Sequence, residues 1–402
     1  MKKSTLIIAI LLSISVIYAQ ERITASGDVI TKEYNQQPFT AVDIRFVGDV
    51  VIHQGPVHKT TVTANENVIQ YVHFRVENGK LFVYTDDNLS FFKVKTFLVE
   101  IYTPKMEELS VCGAKNTRIE KKIGKNTYTR GAGDVTVEGR DESQLTVMNI
   151  GSANCTLKCM KIEKSLELHN KGAGDIIVPS AGVISTQTLL INNTGSGDVI
   201  IQSCSVSHSL VVNNKGAGDI TMDLLDIPTE ELILQNKGAG DLLFRNVWAK
   251  NVIMRNHGAG DVQLMGKTEE VTLESTGAGD ASLKQLKSET AHITHSGVGD
   301  VTAYVKGTAY LTNKSRIGKV YITGGGKSDL RMTVCRDAKF CVSTITYCLM
   351  PTAYLPFFPV NNPCISFNFI SASTGVRLLM SKPTMVSLTS RSSGSSKLMK
   401  LS

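Results

Sequence analysis

Cysteine is scarce in most of this chain. Up to residue 326 there are only four, Cys112, Cys155, Cys159 and Cys204. Four are too few to staple several hundred residues, which excludes a disulfide scaffold. Cys155 and Cys159 are close enough to share a metal, but a lone pair with no second pair nearby does not make a metal site. Cys155 is expected in the core, and no metal, cofactor or catalytic residue is assigned. Long apolar runs are also missing. The stretch from Leu6 to Ile17 follows Lys2 and Lys3 and leads to Ala19, which is the pattern of a secretory signal over residues 1–19. It is too short for a membrane span, and no cysteine follows it to carry a lipid. The expectation is an exported protein, periplasmic, on the outer-membrane surface or secreted, with no transmembrane segment left after cleavage.

A basic body is lacking too. The formal net charge of +7 suggests nucleic acid at first sight. Residues 327–402, however, carry nine Lys/Arg against two Asp/Glu, and residues 20–326 carry 32 against 34. A near-neutral body leaves no electrostatic footprint for nucleic acid. The same tail has no glutamate, yet holds Cys335, Cys341, Cys348, Cys364 and half of the ten prolines. Its prolines argue against a membrane helix, and its last residues have the composition of disorder. It is either a poorly ordered extension or the product of a shifted reading frame. The many alternating strands of a translocator barrel are not there.

What is present is a phrase that keeps returning. Gly-Ala-Gly-Asp stands at 131–134, 172–175, 216–219, 238–241, 258–261 and 277–280, with Gly-Ser-Gly-Asp at 195–198 and Gly-Val-Gly-Asp at 297–300. The marker residues are Asp134, Asp175, Asp198, Asp219, Asp241, Asp261, Asp280 and Asp300. Their spacing is near 20 residues once the degenerate copy Gly151-Ser152-Ala153-Asn154 is placed in the first gap. Weaker copies lie at Gly113–Asn116 and Ile317–Lys319. A period of this size marks a stacked-repeat protein.

Apolar residues fall one and three places after each Asp and seven and nine places before it, as in Ile220 and Met222 or Leu234 and Leu232. Period two means two short strands per repeat, each with one buried face, joined by the glycine corner. The glycines are expected to permit positive φ, and the small residue between them to let neighbouring backbones close up. Five places before the Asp stand Asn170, Asn193, Asn214, Asn236 and Asn256, then Ser275 and His295. They share the inward parity, so an Asn ladder inside the corner is expected, pairing amide to carbonyl and satisfying turn groups. The Asp column needs hydrogen bonds from turn N–H groups, because stacked carboxylates repel by roughly 1 kcal/mol per pair even in water. Arg130, Lys171, Lys215, Lys237 and His257, four places earlier, are expected to supply compensating charge. The alternative for that column is a metal or ligand role. One Asp per coil offers too few of the six to eight oxygens calcium needs.

The division expected is a signal peptide at 1–19, a β-rich N-terminal cap at 20–126, the solenoid at 127–326 and the irregular tail at 327–402. Within the cap, Lys80–Tyr84 after Glu77-Asn78-Gly79 reads as the second strand of a hairpin. Ser26-Gly27-Asp28-Val29 and Val47-Gly48-Asp49-Val50 echo the later period. The fold is an all-β parallel solenoid rather than an antiparallel meander, since stacking like on like explains why Asn and Asp recur at one register.

The segments 27–33, 39–55 and 104–116, together with the Gly-x-Gly-Asp repeats, resemble the auto-transporter adhesin "head GIN" domain family over roughly residues 25–325. The resemblance implies a β-helix-like fold, export and an adhesive role. Its motifs are structural and carry no catalytic residue, and the number of regular repeats leaves room for two tandem units. The function expected is a non-enzymatic envelope or surface protein that binds a glycan or another protein, or has a structural role. A polysaccharide lyase or hydrolase is the alternative, but it needs acids and bases gathered outside the repeat. His53, His58, His73, His208 and His292 share no motif.

Overall fold

The computed structural model describes residues 21–324 apart from 87–88, 114–115, 121–125, 140–141, 159 and 226, and beyond 324 only the backbone of short strands. The leader, Cys159, and the cysteines and prolines of the tail lie outside the described residues. The architecture is a parallel β-solenoid of about ten coils, each of about 20 residues. Two compact units divide the chain. Residues up to Glu163 with Lys171–Ile184 form one, and Lys164–Asn170 with Ser185 onward form the other.

In the first unit parallel stacking begins well before residue 127. Ala41–Arg45 pairs in parallel with Glu108–Val111, and that strand with Asn126–Thr129. Across the corner, Asp49–Gln54 pairs with Thr117–Glu120, then come Val135–Glu138 and Cys155–Lys158. Residues between the first two coils leave the stack and cover it. Lys59–Asn65 runs antiparallel to both Val29–Asn35 and Phe97–Thr103. Val72–Glu77 and Lys80–Thr85 form the expected hairpin, its turn made by Asn78 at φ 49 and Gly79 at φ 74. Positive φ at both central residues matches the twist of a two-residue hairpin. Lys80–Thr85 and Phe97–Thr103 then lie parallel against the first coil, hiding its open edge. The echo at Gly27-Asp28 makes no coil, since the strand after it is part of this antiparallel cover.

In the second unit the stack runs without interruption. Leu242–Asn256 pairs in parallel with Val262–Ser275, that strand with Ala281–His295, and that with Val301–Asn313. The core is a set of like-on-like columns, such as Val212, Leu234, Met254, Leu273 and Ile293, all buried. Burying each such side chain contributes about 1.5–3 kcal/mol. The second strands, Ile220–Leu224 for example, turn alternate residues inward as period two requires.

Candidate functional site

The glycine corners explain themselves by contact rather than by dihedral angle. Among the described residues the positive-φ glycines are Gly27, Gly79, Gly266 and Gly324, none of them in a Gly-x-Gly-Asp corner. A Cβ built on Gly216, Gly218, Gly238 or Gly240 would instead come closer than 3.0 Å to a glycine carbonyl oxygen of the coil before. The expectation of left-handed corners is therefore corrected. Glycine is needed because backbone packs on backbone. The residue between the glycines is not the tight one. Ala217, Ala239 and Ala278 face outward and are exposed, so Ser196 and Val298 fit the same place. Its N–H still bonds the previous coil, Ala239 to the Gly216 carbonyl at 3.1 Å.

Inside each corner the Asn side chain holds two coils at once. Asn236 Nδ2 donates to the Gly240 carbonyl of its own coil at 3.1 Å and to that of Gly260 at 3.2 Å. Asn214 and Asn256 do the same with Gly218 and Gly240, and with Gly260 and Gly279. Asn193 and Asn170 each bond the glycine of the next coil. Asn149, in the degenerate repeat, bonds Ala153 and Gly174. All six are fully buried. The amides thus bond turn carbonyls of their own and the next coil, the backbone groups the ladder was expected to satisfy, and not one another. Ser275 and His295 occupy the column without partners for Ser275 Oγ or for either imidazole nitrogen.

The Asp column sits on the outer side of the corner. Asp219 N–H donates to Asp198 Oδ1 at 2.8 Å, and the pattern repeats through Asp241, Asp261, Asp280 and Asp300 to Lys319. In the first unit Asn154 N–H donates to Asp134, and Asp175 N–H to Asn154 Oδ1. Within each unit the marker side chain of one coil therefore accepts the main-chain N–H of the marker one coil on. No ion pair joins Lys215 to Asp219 or Lys237 to Asp241; both carboxylates accept the next coil's backbone N–H.

Sequence spacing gave no sign of what the outward faces gather. In the first unit His53 lies between two carboxylates, its Nδ1 3.1 Å from Glu120 Oε2 and its Nε2 3.1 Å from Glu100 Oε1. The three come from positions 53, 100 and 120, and strand register alone brings them together. Thr61 donates to Glu100 at 3.1 Å, and Tyr102 stacks on the imidazole with ring centroids 4.8 Å apart. Burial pushes the Tyr102 hydroxyl up, and Glu100 adds to the rise. Beside them Arg118 and Lys158 both reach Glu138. Burial works against that carboxylate, but the two cations hold it below its ordinary range. His73, His208 and His292 also meet an acid, Asp86, Glu230 and Glu270 respectively.

Cys155 and Cys204 are buried, and burial pushes each thiol up to about 12. Cys155 therefore stands in the core as a neutral thiol. Among the described residues no group of three or more His, Cys, Asp or Glu is arranged to hold a metal ion. Two shallow depressions lie along the corner edge. One, of about 400 Å³, is lined by Arg45, Phe46, Cys112, Arg130 and Ser152, and the other, of about 300 Å³, by Ser296, Lys314, Ser315 and Arg316. No carboxylate lines either one. No helix among the described residues is long and apolar enough to cross a membrane.

Parallel coils held by a glycine corner, with the recurrent polar side chains spent on holding it, define a parallel β-solenoid. The chain belongs to the family described as "Putative auto-transporter adhesin, head GIN domain", matched over residues 38–223 and again over 212–326. Among curated proteins none matches the sequence. Solved structures similar to it include a putative adhesin from Bacteroides fragilis, 18% identical, covering 76% of this chain and 98% of that one at a TM-score of 0.27. A putative adhesin from Parabacteroides merdae is 16% identical, covers 78% and 95%, and scores 0.26. A protein from Parabacteroides distasonis described as a putative lipid binding protein is 12% identical, covers 78% and 95%, and scores 0.25.

Proposed function

We propose that this is a non-enzymatic, exported envelope or cell-surface protein whose solenoid presents its outer faces to a glycan or another protein. The observation that carries this is a division of labour between positions. The recurrent Asn and Asp groups are consumed in joining one coil to the next, while the outward residues, which differ from coil to coil, stand on parallel paired strands. Stacked repeats build extended recognition surfaces in this way. Family membership supports the adhesive sense of the reading. A glycan and surface-protein array probed with the exported full-length chain should return a saturable ligand. Cell fractionation that leaves the protein in the cytoplasm would remove the proposal's ground.

A polysaccharide-acting enzyme is the alternative, and the convergence of His53, Glu100 and Glu120 is the observation in its favour. Against it, both imidazole nitrogens are engaged by carboxylates, and Glu100 also binds Thr61. Groups committed to one another join neighbouring strands rather than await a substrate. Turnover of an acidic polysaccharide that disappears in Glu100→Gln and Glu120→Gln would reverse this judgement.

A further inference from the structure

In the second unit the strand leading into each corner carries an outward row that is apolar where period two calls for polar residues. Eight places before the marker stand Leu190, Val211, Ile233 and Ile253, on four consecutive coils. Val211 lies directly opposite Ile233, and Ile233 opposite Ile253. Leu190 takes the same place one coil earlier, where Asn213 Nδ2 donates to Asn192 Oδ1 at 2.9 Å. The residues beside them in sequence point into the core, and these four are only half-buried. The matching row on the strand after the corner reads Ile200, Thr221, Leu243, Gln263, with no such run. A contiguous apolar stripe on an outer face marks a surface that another molecule covers.

The stripe has polar borders. Two places on run Asn192, Asn213, Gln235 and Arg255, and two places back Thr188, Ser209, Glu231 and Asn251. The face is flat here, since the strands that start at Glu231, Asn251 and Glu270 pair up to the corner without a register shift. An apolar middle inside a polar rim is the anatomy of a protein interface. The stripe is aliphatic, so it offers no ring for a sugar to stack on. One cation and one acid over these four coils give no hold to a polyion.

We infer that this face pairs with the same face of a second copy, about a two-fold axis that runs along the strands between Val211 and Ile233. Such an axis turns the stack over, so each residue meets one from the coil equally far on the other side. Leu190 then faces the partner's Ile253, and Val211 the partner's Ile233. In the border Asn213 faces Gln235, and an amide both donates and accepts, so the two can bond. Arg255 faces Asn192 and Glu231 faces Ser209, so neither charge meets its own kind. One coil further out Glu274 faces His169. Six coils by six residues of strand cover roughly 29 Å by 20 Å, about 1,150 Å² over both copies, which suits a weak but specific dimer. The other outward faces stay open for the recognition proposed above.

The full-length exported chain is sedimented over about 1–100 µM, a range that brackets a micromolar Kd. The expected result is a shift from monomer to dimer. Ile233→Glu sets a carboxylate against the partner's Val211 and should weaken the dimer at least tenfold. The side chain points away from the core, so the melting temperature of the monomer should not change. Leu243→Glu, on the other strand's outer face, should leave the dimer alone. Leu190→Cys combined with Ile253→Cys tests the axis. Within one chain the two sites lie three coils apart, about 14 Å, too far for a disulfide. Across the axis they meet, so oxidation should give covalent dimers beyond those of the parent and of either single variant. A chain that stays monomeric throughout overturns the pairing. So does a dimer that Ile233→Glu leaves intact, one that Leu243→Glu loosens equally, or one in which the paired cysteines form no bridge. A monomer that binds phosphatidylcholine vesicles, and loses them in Ile233→Glu, overturns it in favour of a lipid surface.

Discussion

The regular coils of the second unit and the two that carry Ser275 and His295 differ at the inner asparagine column. In the regular coils the Gly240 carbonyl receives an Nδ2 donor from Asn236 and another from Asn214, and Gly260 likewise from Asn256 and Asn236. At Ser275 the pattern halves, because Gly279 keeps Asn256 but gains nothing from the serine. At His295 it ends. The imidazole is buried and neither nitrogen meets hydrogen-bond geometry, the Ser275 backbone being a weak neighbour only. The stacking of leucines and the Asp relay continue through these coils unchanged. The lesson is that the outer relay and the apolar columns suffice to propagate a coil, while the inner Asn adds the satisfaction of buried carbonyls.

The largest effect should come from the corner itself, where both kinds of coil agree. Gly240→Ala places a Cβ against the Gly218 carbonyl, which is backbone and cannot turn aside. A loss of about 3 kcal/mol or more is expected in chemical denaturation. Ala239→Ser, one residue away but facing outward, should change stability by less than about 0.5 kcal/mol. Equal losses from the two would refute the contact explanation of the glycines.

Asn236→Ala comes next. It strips a donor from Gly240 and from Gly260 and an acceptor from the Gly238 N–H. Buried groups left without partners cost about 1–3 kcal/mol each, less whatever a neighbouring amide still supplies. A loss of about 2–4 kcal/mol is expected. Ser275→Ala, already without a partner at Oγ, should cost far less. That difference, read from paired denaturation midpoints, measures the worth of the amide directly.

His295→Asn works in the opposite direction. An asparagine there can donate to the corner as its counterparts do, for a gain of about 1 kcal/mol. The pH dependence adds a second signature. Burial lowers the His295 pKa, against smaller upward pulls from the Ser275 backbone and Asp300. With the folded value depressed, the unfolded chain takes up the proton first as pH falls. The stability from this group is then whole above about pH 6.5 and lost progressively below it. Thermal melts at pH 8 and pH 5 should show a smaller drop for His295→Asn than for the parent chain. Equal drops would mean that the imidazole does not report the defect.

Much of this was legible in the sequence, and the limits have physical causes. The period of 20, the inward leucines and the inward parity of the asparagines follow from side-chain alternation, which any strand obeys. The role of the glycines was misjudged because a Gly-x-Gly turn signals positive φ as readily as close backbone approach. The Gly27-Asp28 echo misled because a turn motif does not state which strand will pair with the next. His53 with Glu100 and Glu120 in the first unit was out of reach. It depends on register between strands, and inserted cover strands shift that register in ways no spacing rule contains.

The smallest expected effect is also the most discriminating for the Asp column. Asp241 Oδ1 accepts the Asp261 N–H at 2.7 Å, and an amide oxygen can accept it as well. Asp241→Asn should therefore keep the relay and remove one of a row of like charges, leaving stability within about 0.5 kcal/mol of the parent or slightly above it. Asp241→Ala keeps neither and should lose about 1 kcal/mol, the net worth of one hydrogen bond. The first unit already holds the substitution. Asn154 stands in the same column, takes Asp134 as acceptor for its own N–H, and offers Oδ1 to Asp175 at 2.8 Å. If Asp241→Asn instead fell as far as Asp241→Ala, the carboxylate charge would be what the column needs. The aspartates would then have to be re-read as a site for a cation.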